Sequence, residues 1–124
     1  MDFTAVVAAL ALLEYLAIGI LTGQARGKYG VKAPAVSGHP IFERWFRVQQ
    51  NTLEQLVVFL PALFLFASYV SPTWAGWLGL VFIVGRALYA RSYVADPDSR
   101  TLGFTLTFVP NVVLVIGALI GAIL

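Results

Sequence analysis

Apolar and polar residues fall into long alternating blocks along this chain. Each apolar block is close to the roughly 20 residues that an α-helix needs to cross about 30 Å of hydrocarbon. The blocks predict four transmembrane helices, at residues of about 3–21, 42–69, 74–93 and 101–124. Polar segments rich in Gly, Pro and charged residues separate them, and they predict loops at about 22–41 and 94–100 and a tight turn at 70–73.

The composition agrees with a membrane protein. Hydrophobic residues make up 60% of the 124 residues and charged residues only 11%, whereas soluble domains carry roughly 25% charged residues. We therefore predict an all-α integral membrane protein with a single four-span domain over residues 1–124. Cysteine is absent and the single His39 lies beside a proline, so no metal site is expected. The basic residues do not form a face for nucleic acid, and no nucleic-acid partner is expected.

The basic residues predict how the helices are oriented in the membrane. All eight lie in or near the two longer loops: Arg26, Lys28, Lys32, Arg44, Arg47, Arg86, Arg91 and Arg100. By the positive-inside rule, these loops face the cytoplasm and both termini face the other side. A bacterial inner membrane and an endoplasmic reticulum membrane fit this pattern equally well.

The start of the second helix carries a polar row. Arg47, Asn51 and Glu54 stand at i, i+4 and i+7, so a helix stacks them on one face. These residues need not form a site, since Arg47 and Glu54 could pair with each other or extend to the interface. Asn51 could make an interhelical hydrogen bond.

The third helix carries a second polar row. Arg86, Tyr89 and Tyr93 follow at i, i+3 and i+7 on that helix. The tyrosines alone are also typical of an interfacial aromatic belt. If the two rows meet, they form a pocket for a small zwitterion or peptide, because arginine binds carboxylates and Glu54 binds an amine.

Two signatures in these helices resemble a known family. The segment FERWFRVQQNTLEQLVVFLPALF contains E-R-x-F-R-x-Q-x-N-x-x-E, and LGLVFIVGRALYARSY contains R-x-x-Y-x-x-x-Y. Both are similar to the membrane-associated proteins in eicosanoid and glutathione metabolism, which include microsomal glutathione transferases and leukotriene C4 synthase. The resemblance implies a homotrimer of four-helix subunits that binds glutathione, as co-substrate, between neighbouring subunits near the cytoplasmic surface.

The resemblance also assigns residues to that site. It implies that Arg26 holds a glutathione carboxylate, that Gln49 faces the neighbouring subunit's ligand, and that Arg100 is catalytic. The remaining glutathione-binding positions are Arg47, Asn51, Glu54, Arg86, Tyr89 and Tyr93. A cation beside a thiol lowers its pKa and so raises the thiolate fraction, which is the role expected of Arg100. Two positions depart from the family pattern, with Gln55 in place of a tyrosine and Gly27 in place of a second arginine.

The function implied is a membrane-bound glutathione S-transferase for detoxification, which conjugates glutathione to lipophilic electrophiles. Lipid hydroperoxides are a further implied substrate, through a glutathione-dependent peroxidase activity, and membrane lipid is an expected partner. Two alternatives stay open. The first is a non-catalytic lipid-binding scaffold of the same family, which would not need Arg100. The second is a small multidrug transporter, for which Glu14 in the first span would be the functional carboxylate; otherwise we expect Glu14 to hydrogen-bond a partner such as Asn111.

Overall fold

Four long α-helices account for most of the chain in the computed structural model, which describes residues 2–124. They are α1 (Asp2–Lys28), α2 (Pro40–Tyr69), α3 (Pro72–Ala95) and α4 (Thr101–Ile123), with a 3-10 turn at Pro97–Ser99. Each helix is long and apolar enough to cross a membrane. The prediction of an all-α fold with four membrane-length helices is confirmed.

The first helix is longer than the sequence pattern indicated. Residues 22–28 were predicted to begin a loop, but α1 continues through them to Lys28. Ala25 on this last part packs in a buried cluster with Val31 and Phe42, and the Thr22 hydroxyl donates to the carbonyls of Ile18 (2.8 Å) and Trp45 (3.3 Å). Tertiary contacts therefore stabilise a helical extension whose composition alone favoured a loop.

The segment between the first two helices is short and well anchored. α2 begins at Pro40, because His39 caps it, with its Nδ1 accepting a hydrogen bond from the Ile41 amide (3.2 Å). A proline in the first turn suits a helix start because its missing N–H has no partner there anyway. The His39 ring also stacks on Tyr29, with 4.0 Å between ring centroids.

Tight packing of α3 against its neighbours depends on glycine residues. A Cβ at Gly79 would lie 2.4 Å from a methyl carbon of Val7 on α1, and one at Gly103 on α4 would lie 2.3 Å from the backbone nitrogen of Tyr89. The apolar core fills the half of the bundle away from the loops, where the rings of Phe59 and Phe82 stack 3.9 Å apart. The other half, at the loop end, contains smaller apolar clusters and most of the buried polar side chains.

We expect Gly103→Ala to lower the thermal stability of the purified protein. The added methyl group meets the Tyr89 backbone, which cannot turn away as a flexible side chain could, and such overpacking typically costs about 1–3 kcal/mol. Thermal unfolding in detergent, followed by circular dichroism, measures the change.

The matched control is Gly23→Ala in α1, where a Cβ meets no atom within 4 Å. This substitution should leave stability unchanged or raise it, since alanine favours a helix over glycine by about 0.5–1 kcal/mol. Equal melting temperatures for the two variants would contradict the close approach of α3 and α4.

Candidate functional site

A polar cleft of about 380 Å³ opens between α2, α3 and the start of α4 at the loop end of the bundle. Its lining residues come from three elements and are almost all polar: Arg47, Gln50, Asn51, Glu54, Tyr89, Tyr93 and Arg100. We call this the polar cleft. Six of the nine residues predicted for the site line it.

The α2 wall of the polar cleft follows from helix geometry. Arg47, Asn51 and Glu54 share one face as predicted, and Gln50 lies at the edge of that face. The sequence interpretation missed Gln50, although it stands three residues after Arg47 and four before Glu54, which is the spacing of neighbours on a helix surface.

The α3 wall consists of two phenol rings. Tyr89 and Tyr93 stack with their ring centroids 5.5 Å apart and their planes 19° apart. Tyr89 is buried, whereas Tyr93 is half-buried and, together with Arg47, also borders an adjoining cleft of about 530 Å³. The polar cleft therefore continues along the start of α2 rather than ending at Arg47.

Arg100 closes the polar cleft at the start of α4. It is exposed, its Nη1 donates to the Pro97 carbonyl (2.8 Å), and its own carbonyl accepts from the amide of Phe104 (3.0 Å) in the first turn of α4. The backbone is thus fixed by the helix start, and Arg100 lines the same cleft as the α2 and α3 residues. The predicted catalytic residue and most of the predicted ligand residues share one site.

Arg86 lies behind the polar cleft instead of lining it, which differs from the predicted location. Its side chain is 0% exposed. Nε donates to Thr107 Oγ1 on α4 (2.9 Å), and Nη1 donates to Asn51 Oδ1 (2.8 Å) and Thr52 Oγ1 (3.2 Å) on α2. The guanidinium carbon also lies 4.3 Å from the centroid of the Tyr89 ring. Arg86 therefore contacts one cleft residue on each wall, Asn51 and Tyr89, and links α2, α3 and α4.

Comparison with known proteins identifies the family. The model of the MAPEG family matches residues 4–120. The chain belongs to the MAPEG family. This confirms the family predicted from the two signatures, and with the four membrane-length helices it makes the chain a multi-pass integral membrane protein.

Several relatives of this MAPEG protein cover most of its length. An uncharacterised protein of Synechocystis sp. is 50% identical over 116 residues, which are 94% of this chain and 85% of the relative. Microsomal glutathione S-transferase 2 of Homo sapiens is 40% identical over 103 residues, covering 83% of this chain and 70% of that protein. Leukotriene C4 synthase of Rattus norvegicus is 30% identical over 102 residues, covering 78% and 67%.

Two residues assigned by the resemblance lie away from the polar cleft of this MAPEG protein. Gln49 is about 200° round α2 from Arg47, and its Nε2 lies 3.4 Å from the Cβ position of Gly19 on α1. The Nη1 of Arg26 donates to the carbonyls of residues 31 (3.2 Å) and 35 (2.7 Å), so that it anchors the loop between α1 and α2. Ligand contacts by Gln49 and Arg26 stay predictions.

The prediction that Glu14 forms a hydrogen bond with Asn111 is wrong. Asn111 of α4 donates from Nδ2 to Gln55 Oε1 on α2 (3.1 Å), and Glu14 Oε1 has no hydrogen-bond partner among residues 2–124. The Asn111 contact also shows that Gln55, the position that departs from the family pattern, faces α4. Gln55 is therefore absent from the residues that line the polar cleft.

Proposed function

We propose that this MAPEG protein is a membrane-bound glutathione S-transferase, with glutathione bound in the polar cleft and Arg100 stabilising its thiolate. The observation that carries the proposal is the grouping of Arg47, Glu54 and Arg100 in a single cleft with amide and phenol side chains. The names of two relatives, microsomal glutathione S-transferase 2 and leukotriene C4 synthase, support the same class of activity.

The chemistry of the polar cleft matches the groups of glutathione. That tripeptide carries two carboxylates, one ammonium group, two peptide bonds and a thiol. Guanidinium groups bind carboxylates through charge-assisted hydrogen bonds, Glu54 suits the ammonium group, and Gln50 and Asn51 can pair with the peptide bonds. The cleft volume of about 380 Å³ lies within the usual range for small-molecule sites.

Arg100 can activate the thiol without acting as a base. Its guanidinium stays charged at any physiological pH, so a bound thiol next to it loses its proton to water more readily. The thiolate sulfur then attacks the electrophilic carbon, a C–S bond forms, and the leaving group departs with the bonding electrons. With a lipid hydroperoxide, the sulfur instead attacks oxygen and a second glutathione completes the reduction, giving glutathione disulfide, an alcohol and water.

The lipid-facing surface offers a route for the electrophile. Two apolar grooves of about 500 and 330 Å³ lie between α2 and α4, and they share Val58 and Val115. The smaller one includes Gln55, the neighbour of the cleft residue Glu54. On this proposal, a lipophilic compound dissolved in the bilayer enters along these two grooves between α2 and α4.

The proposal also includes assembly as a homotrimer and a defined orientation in the membrane. In a homotrimer, Gln49 would face the ligand of a neighbouring subunit, which is consistent with its position outside this subunit's cleft. The cluster of basic residues at the loop end supports a cytoplasmic location for the cleft and a non-cytoplasmic location for both termini. Native mass spectrometry tests the trimer, and a reporter fused to the C-terminus tests the orientation.

A single preparation tests the activity. Protein purified in detergent is titrated with glutathione while the ultraviolet absorbance of the thiolate is followed, and a chlorinated nitroarene is then added. We expect a thiolate signal and a nitroaryl conjugate. No thiolate and no conjugate from the wild-type protein would refute the enzyme proposal. Lipid binding without either signal would favour the scaffold function instead.

We expect Arg47→Ala to weaken glutathione binding more than it lowers the rate at which the bound complex reacts. A hydrogen bond to a charged group contributes about 1.5–3 kcal/mol, which corresponds to roughly a 10- to 150-fold rise in the dissociation constant measured by calorimetry. Lys32→Ala is the control, because it removes the same charge from an exposed loop position outside the cleft. Equal affinities for the two variants would exclude Arg47 as a carboxylate ligand.

A further inference from the structure

The buried guanidinium of Arg86 has only neutral hydrogen-bond acceptors. They are the amide oxygen of Asn51 and the hydroxyl oxygens of Thr52 and Thr107, while Nη2 has no hydrogen-bond partner among residues 2–124. A charge removed from water needs a counter-charge as well as hydrogen bonds, and within a membrane this requirement is stronger.

The packing register of α1 and α3 shows which residue lies opposite Arg86. Val7 of α1 lies against Gly79 of α3, which is 72 residues later. Ile18 shares a buried cluster with Ala90, again 72 residues later. The same offset applied to position 14, which lies between these two contacts, gives position 86.

Glu14 is thus level with Arg86, and other contacts agree. Glu14 borders the same groove as Ala87, the residue that follows Arg86 on α3. Its Oε1 is buried without a hydrogen-bond partner among the described residues, as is Nη2 of Arg86.

We propose that Glu14 is the counter-ion of Arg86 and, through it, a positioning residue for the polar cleft. The path runs from Glu14 on α1 to the guanidinium of Arg86, and from there to Asn51 and Tyr89 on the two cleft walls. A negative charge at Glu14 keeps the guanidinium between the helices, so that the Asn51 amide and the Tyr89 ring keep their places. The effect on a ligand rests on the function proposed above, whereas the charge pairing does not.

A double-mutant cycle tests the pairing without glutathione. The proteins compared are the wild type, Glu14→Gln, Arg86→Gln and the double variant, and the readout is the midpoint of thermal unfolding in detergent. Each single variant leaves one charge unpaired, so we expect the double variant to lose much less than the sum of the two single losses. If a single variant does not accumulate as folded protein, recovery of folded protein in the double variant shows the same coupling. Additive losses, or no recovery, would overturn the pairing.

The ionisation state of Glu14 gives a second, independent readout. A counter-ion must be a carboxylate at neutral pH, whereas a carboxyl that serves only as a hydrogen-bonding group can be protonated. The infrared difference spectrum between the wild type and Glu14→Gln should show the loss of a carboxylate band. Loss of a protonated-carboxyl band instead would overturn the proposal.

The positioning role is tested by glutathione affinity. We expect Glu14→Gln to raise the glutathione dissociation constant by about 2- to 30-fold, the usual range for a residue that acts on a site through another, and Glu14→Asp, which keeps the charge, to restore part of the affinity. Thr22→Val is the matched control, since it removes a buried polar group of α1 whose bonds go to residues 18 and 45.

The affinity results separate this proposal from the proposed function. If the wild type binds glutathione and Glu14→Gln binds it with the same affinity, the positioning role is overturned, but the proposed function is not. If the wild type itself binds no glutathione, the proposed function fails, and the unfolding cycle and the infrared spectrum still decide the charge pairing.

Discussion

Replacement of Arg100 by alanine is expected to lower kcat about 100-fold while most of the glutathione affinity is kept. The loss of a preorganised group that stabilises a developing or bound anion typically costs a factor of about 10²–10³. Arg100 lines the polar cleft from the position just before α4, whereas the other charged groups of the cleft, Arg47 and Glu54, belong to α2. Binding should therefore depend mainly on α2, and thiolate formation on Arg100.

The pH dependence of the Arg100→Ala variant gives a more specific test. Without the cation, the pKa of the bound thiol should rise toward the ordinary thiol value of about 8.5, so less thiolate forms at neutral pH. The rate deficit relative to the wild type should then shrink as the pH rises through that value. Steady-state rates of nitroarene conjugation across the pH range, together with calorimetric glutathione titrations, measure both effects.

Two further variants control for the loss of a cation. Arg91→Ala removes an exposed arginine of α3 that borders a different groove and does not line the polar cleft, so it should keep wild-type rates. Arg100→Lys keeps a positive charge and should recover part of kcat. An Arg100→Ala variant with unchanged kcat and a raised KM would show that Arg100 binds the substrate without activating it.

The second large effect is expected on stability. Arg86→Ala should reduce the free energy of unfolding by about 3–5 kcal/mol, the usual cost of removing one member of a buried charged network. The Thr52 and Thr107 hydroxyls already donate to the carbonyls of residues 48 and 103 (2.7 and 3.0 Å). Their oxygens are therefore fixed as acceptors for Arg86, and the alanine variant leaves them and Asn51 Oδ1 without that donor.

Denaturant or thermal unfolding in detergent measures this loss, with Arg91→Ala as the control for removal of an arginine from α3. Arg91 is exposed, and its loss should change the stability by less than about 0.5 kcal/mol. Arg86→Lys keeps the charge but not the planar array of donors, so it should be intermediate. A fully stable Arg86→Ala variant would contradict a structural role for the network.

Regular periodicity explains which parts of the polar cleft the sequence predicted. An α-helix repeats every 3.6 residues, so Arg47, Asn51 and Glu54 had to share a face once their segment was helical. Gln50 has the same helical spacing relative to Arg47 and Glu54, but the sequence prediction did not include it. Whether a row on one helix meets a row on another depends on packing, and the family resemblance, not the spacing, predicted that meeting.

Local composition and spacing predicted the four apolar helices and the polar rows on α2 and α3, and the resemblance of two signatures predicted the family. The helices and the polar rows could be predicted because hydrophobic blocks and helical spacing are local properties of a linear sequence. The packing of the helices placed Arg86 behind the polar cleft, because its hydroxyl acceptors, Thr52 and Thr107, belong to other helices. It likewise decided that α1 extends to Lys28 and that Glu14 lies level with Arg86, since both depend on contacts between segments distant along the chain.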